Sequence, residues 1–170
     1  MSKKHYRIGA ILAMMAMIAA LFLFGVIPAS ARPFTTDFTG TSTCVDVPGT
    51  GEFKVIDGKL HIKGLVDICT DVADDPRVSG TDMIVINGIL DLNDNLSGPL
   101  WGNARIENAS GSWVGFWTGE RTSDGFAYLR MSARGLEGYQ GMQAWWELER
   151  LSPNPGDPYS LSGYILDPGQ

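Results

Sequence analysis

The residues with the most chemical potential lie between Leu100 and Leu151. Arg105, Glu107, Glu120, Arg130, Arg134, Glu147 and Glu149 alternate there with Trp101, Tyr128 and Trp145. An enclosed carboxylate beside an arginine can serve as a general acid or base. Glu120 or Glu147, with Arg130 or Arg134, would therefore make a polar reaction site if this face of the chain pointed inward. Pointing outward, the same residues make a solvated face laced by cross-strand ion pairs, the arrangement favoured by the cost of burying unpaired charge. Glu147 and Glu149 are two apart on one strand, so their carboxylates rise from the same side roughly 7 Å apart at the backbone. That separation falls within the range of glycosidase pairs, but any acidic strand face offers it.

The aromatic residues suggest binding. Trp101, Trp113, Trp117, Trp145 and Trp146 all fall in this same stretch. In Gly111-Ser112-Trp113-Val114-Gly115-Phe116-Trp117-Thr118-Gly119-Glu120 the two tryptophans share one side of an extended strand with the glycines, while Val114 and Phe116 share the other. Indoles separated by glycine would leave a flat slot for a ring or acyl chain, and Trp113, Phe116, Trp117 and Trp146 are the candidate ligand-binding residues. Packing of a core is the competing use of the same side chains.

No catalytic residue, metal or cofactor is assigned. Asp91-Leu92-Asn93-Asp94-Asn95 begins like a calcium loop, but Leu96 stands at the position needing glycine and Gly102 at that of the bidentate glutamate, so a plain turn is expected. His61 alone cannot build a histidine-rich metal site. The chain contains no Gly-x-Ser-x-Gly, phosphate-binding loop or dinucleotide fingerprint.

The elements that must position these residues read as strands throughout. A first strand over Thr35 to Val47 is expected to end at Pro48-Gly49, and Glu52 to Ile56 and Lys59 to Asp71 flank Asp57-Gly58, a two-residue hairpin signal. In the second arm Leu60, Ile62, Val66 and Ile68 form the expected core face, with Lys59, His61, Lys63 and Asp67 opposite. Ala73 to Gly80 reads as a loop, and Met83 to Leu92 as a strand with a bulge or bend at Asn87-Gly88. Further strands follow over Pro99 to Asn108, the central decapeptide, Phe126 to Glu137 and Met142 to Leu151. The inward candidates are Leu100, Gly102, Ala104 and Ile106, then Ala127, Leu129, Met131, Ala133 and Gly135, then Met142, Ala144, Trp146 and Leu148. Ser152 to Pro158 cannot continue a strand. A last strand, Tyr159 to Leu166, would remove both sheet edges by pairing with the first. The fold class is therefore all-β, a single antiparallel up-and-down barrel of about eight strands, with a β-sandwich as the alternative.

The N-terminus reads as an export signal. Lys3, Lys4 and Arg7 precede an uncharged run from Ile8 to Ile27, and Ala29-Ser30-Ala31 supplies a signal-peptidase site. Cleavage after Ala31 would leave residues 32–170 as one secreted or periplasmic domain. The alternative is an uncleaved membrane anchor over residues 8–27. Without residues 1–31 the chain carries 10 basic and 19 acidic side chains, a net charge of −9. This argues against nucleic acid or an anionic membrane as partner. Cys44 and Cys69, the only cysteines, are expected to form a disulfide in an oxidising compartment.

Long strands rich in glycine and aromatics, with Gly111-Ser112-Trp113-Val114-Gly115 and Gly138-Tyr139-Gln140-Gly141, resemble the allene oxide cyclase and dirigent type of β-barrel. The resemblance covers most of the chain from Phe34 to Leu166 and rests on rhythm. It implies an eight-stranded barrel around a largely apolar cavity for a lipid-like or phenolic ligand. That family's catalytic residues have no matched positions here. Lipocalin and avidin-type barrels are similar through Gly-x-Trp, although lipocalins carry that motif near the mature N-terminus. The leading expectation is an exported, non-enzymatic small-molecule-binding barrel whose partner is a small apolar ligand. A cyclase or isomerase with a buried carboxylate is the second, and a secreted interaction domain without a cavity the third.

Overall fold

Strand follows strand because β-branched and aromatic residues alternate with small or polar ones between Gly, Asn and Asp turns. The computed structural model of the protein describes residues 33–154 and 156–169. The expected leader and its cleavage site lie outside the described residues. The strands are β1 (Phe34–Asp46), β2 (Glu52–Ile56), β3 (Lys59–Ala73), β4 (Gly80–Asp91), β5 (Gly98–Asn108), β6 (Gly111–Arg121), β7 (Ala127–Glu137), β8 (Gln143–Arg150) and β9 (Tyr159–Asp167). From β3 to β9 each strand pairs antiparallel with the next, and β1 lies between β9 and β3. Eight strands thus close into a barrel, and β2 remains outside it, paired to β3 alone.

Closure works as expected: β9 pairs with Phe34–Ser42 of β1, and Gly40–Asp46 of β1 pairs with β3. Cys44 and Cys69 are directly opposed across the β1–β3 seam and are disulfide-bonded. The bond closes a loop of 25 residues, which on the chain-entropy estimate stabilises the fold by about 3.5 kcal/mol. It suits an oxidising compartment. Among the described residues no helix is long and apolar enough to cross a membrane.

The β2–β3 hairpin turns at Asp57 and Gly58, both with positive φ, as a two-residue turn requires. The bulge falls not on Asn87-Gly88 but on the strand opposite. Between Ile62 and Leu65 the β3–β4 register shifts, Gly64 takes φ 70°, and its N–H donates to Asn87 Oδ1. One extra residue flips every following side chain. The expectation for the second half of β3 is thereby corrected. Val66 and Ile68 are only half-buried, whereas Cys69 and Asp71 are buried. Asp67, Cys69, Asp71 and Ala73 take the inward phase.

From β5 to β8 the faces fall as the sequence predicts, with Ala104, Ile106, Trp113, Trp117, Met131, Ala133, Ala144, Trp146 and Leu148 buried inside. Phe38, Trp146, Trp113 and Tyr139 form a run of aromatic contacts with centroids 5.1–5.7 Å apart. One end of the barrel is plugged. A single 3-10 turn, Pro76–Val78, buries Val78 completely, and the Arg77 carbonyl accepts a hydrogen bond from Trp113 Nε1 at 2.8 Å. Asn108 Nδ2 donates to the Ser79 carbonyl, and Tyr139 O–H donates to Asn108 Oδ1. At the opposite end the β6–β7 and β8–β9 connections meet, with Gly125 buried against Pro153.

Candidate functional site

The barrel places the expected site residues on two sides of its wall. Glu120, Arg130, Arg134 and Glu147 are all exposed on the outer face, which corrects the polar-cavity expectation. The physical reason is the period of two. With Trp117 and Met131 inside, Glu120, Arg130 and their cross-strand partner Glu147 must point out. Arg130 Nε and Glu147 Oε1 form a solvated cross-strand ion pair at 3.1 Å. With Tyr128 and Glu149 they line an open outer groove of about 640 Å³. Trp145 stacks on Tyr164 beside it, centroids 4.9 Å apart. The Asp91–Asn95 segment begins the β4–β5 turn, held by Asn93 N–H donating to Asp91 Oδ1.

The four ligand-binding candidates also separate. Phe116 is 50 % exposed on the outer face, so it cannot join the others. Trp113, 1 % exposed, belongs to the packed core and the plugged end. Trp117 and Trp146 do line an internal gap, but it measures only about 20 Å³. A drug-sized ligand needs some hundreds of Å³.

What the sequence reading missed is a polar interior. Among the described residues seven buried side-chain nitrogen or oxygen atoms have no hydrogen-bond partner: Asp67 Oδ1, Asp71 Oδ1, Asp82 Oδ1, Trp117 Nε1, Arg121 Nε, Trp146 Nε1 and Arg150 Nε. All seven belong to residues in the inward phase of their strands. Buried polar atoms are normally paired, with protein or with ordered water, so these seven are the interior groups that call for a partner.

Four of them, on Asp71, Asp82, Trp117 and Trp146, belong to residues lining the small gap. Asp71 and Asp82 are each 4 % exposed. Burial pushes the Asp82 carboxyl up to about 8, helped by the charge of Asp71 and opposed by the Arg105 backbone N–H. Burial likewise raises Asp71 to about 6, against the pull of the Ser42 hydroxyl. At neutral pH Asp82 is therefore an un-ionised acid inside the barrel.

The other three orphans lie toward the opposite end of the barrel, away from the 3-10 turn. Asp67 is raised to about 6 by burial and by neighbouring Asp46. Arg150 lies over the ring of Tyr159, its guanidinium carbon 5.4 Å from the centroid, a cation–π contact. Burial raises the Tyr159 hydroxyl, while Arg150 and Arg121 pull it down. Ile86, Leu100 and Leu129, partly buried against the core, supply apolar wall at the same end.

Asp67 and Asp71 were missed because the Gly64 bulge reverses the phase of β3, and Asp82 because it precedes the apolar run that marked β4. Arg121 was legible: it continues the Trp113, Trp117, Gly119 phase. Among the described residues no group of three or more His, Cys, Asp or Glu is arranged to hold a metal ion. No protein-family model, curated protein or solved structure matches the chain.

Proposed function

We propose that the protein is an exported small-molecule-binding barrel that takes an amphipathic ligand at the end ringed by Asp67, Arg121, Arg150 and Tyr159. The observation that carries this reading is the set of orphans there. Two arginines and one carboxylate each keep a buried atom without a partner, beside the partly buried Ile86, Leu100 and Leu129. Charged groups held in this way are satisfied by a ligand with a polar head, and barrel mouths are common places for such sites. The head is best a carboxylate or phenol, able to accept from Arg121 and Arg150. The body is a ring or short chain lying on Leu100 and Leu129, because the 20 Å³ beneath admits nothing larger than water. At the level of fold type this agrees with the allene oxide cyclase and dirigent resemblance, whose larger cavity is not carried over.

The cyclase- or isomerase-type reading is not favoured by this geometry. Asp82 has the character of an acid protonated at neutral pH, but the gap it lines is too small for a substrate, and Glu120 and Glu147 stand on the outer face.

The test is intrinsic fluorescence titrated with aliphatic, terpenoid and phenolic acids. Saturable change is expected for some of them, with Kd weakened at least tenfold in Arg121→Gln or Arg150→Gln. A folded protein that responds to none of the panel refutes the mouth site and turns attention to the outer groove by Tyr128 and Glu147, the interaction-domain reading.

A further inference from the structure

We propose that the barrel interior holds one integral water molecule, bound between the carboxyl groups of Asp71 and Asp82 and the indole N–H groups of Trp117 and Trp146. The gap these residues line, together with Ile84, Ala104 and Met131, measures about 20 Å³. A site needs at least roughly 10–15 Å³ of such space, and two to four polar partners, to hold a water. Four partners are present, and each has an atom without any hydrogen-bond partner in the protein. Their kinds match: two are N–H donors and two are carboxyl oxygens, while a water accepts two hydrogen bonds and donates two.

The alternatives fit less well. A dry gap would leave four buried polar atoms unsatisfied, each bearing the full cost of its desolvation. A cation would meet the two carboxyl groups but would leave the indole N–H donors of Trp117 and Trp146 without an acceptor. An organic ligand exceeds the space. Nor does the site depend on the ligand-binding end. Asp71 comes from β3, Asp82 from β4, Trp117 from β6 and Trp146 from β8, so the water ties opposite walls of the barrel together across its interior.

The experiment is water-selective NOE and ROE spectroscopy of the five indole N–H groups in the ¹⁵N-labelled full chain. Trp117 and Trp146 Hε1 are expected to show cross-peaks to a water that tumbles with the protein. Trp113, whose N–H donates to the Arg77 carbonyl, is expected to show none. Ala104→Val, which fills the gap, should abolish both cross-peaks together while the remaining indole signals stay in place. If that variant does not fold, Asp82→Asn, which keeps the shape, must retain them. Absence of both cross-peaks in the wild-type chain, or rapid solvent exchange of either indole proton, overturns the proposal.

Discussion

Replacing Asp82 by asparagine should make the protein more stable at pH 8 and abolish most of the pH dependence of its stability above pH 6. The Asp82 carboxyl rises from an ordinary 3.8 to about 8 on folding, chiefly through burial. The folded chain therefore holds a proton that the unfolded chain has released, and stability falls as pH rises through that window. The penalty is absent below about pH 4 and complete above about pH 8. Each pH unit of one fully linked proton is worth about 1.4 kcal/mol, so the whole shift from 3.8 to about 8 amounts to about 6 kcal/mol. Asp67 and Asp71, raised to about 6, contribute between pH 4 and 6 and little beyond. Between pH 6 and 8 the slope should thus be that of one proton, and it should belong to Asp82. The assay is urea unfolding at pH 5, 6, 7 and 8, followed by tryptophan fluorescence with the disulfide intact. Asp82→Asn should approach the wild type near pH 4 and exceed it progressively to pH 8. Parallel curves for the two proteins between pH 6 and 8 would refute the assignment of a buried, protonated Asp82.

The other expectations concern the frame. Replacing both Cys44 and Cys69 by serine should lower stability by about 3.5 kcal/mol in urea titration, because the bond closes the β1–β3 seam over 25 residues. Trp146→Ala should cost about 3–5 kcal/mol, since Trp146 is buried between Phe38 and Trp113. Gly64→Ala, at φ 70°, should cost about 1–2 kcal/mol through left-handed backbone strain and leave the barrel spectrum unchanged at low temperature. Glu147→Gln should change stability by less than about 1 kcal/mol, because its pair with Arg130 is solvated on the outer face.

The Trp113–Trp117 strand shows how far local pattern carries. Alternation holds from β5 to β8, so a period of two read on the chain assigns the faces correctly, with Trp113, Trp117 and Trp146 inside and Phe116, Tyr128 and Trp145 outside. β3 shows where it stops. The chemistry of Lys63-Gly64-Leu65 does not announce a bulge, because glycine is equally at home in a turn or a bend. Only pairing with β4 reveals that Gly64 adds a residue without a partner, and that Asp67 and Asp71 consequently turn inward.

Composition and alternation by themselves determined an all-β chain, the hairpin at Asp57-Gly58, a pair of cysteines fit to bridge, and a last strand suited to closing the sheet. These depend on backbone preference and on side-chain period, which are local quantities. The tertiary structure alone decided which carboxyl groups are enclosed. Glu120 and Glu147 face water, whereas Asp71 and Asp82 meet Trp117 and Trp146 across the interior. The reason is that burial of a charge is set by what the opposite wall of the barrel brings near it, from strands distant in the sequence.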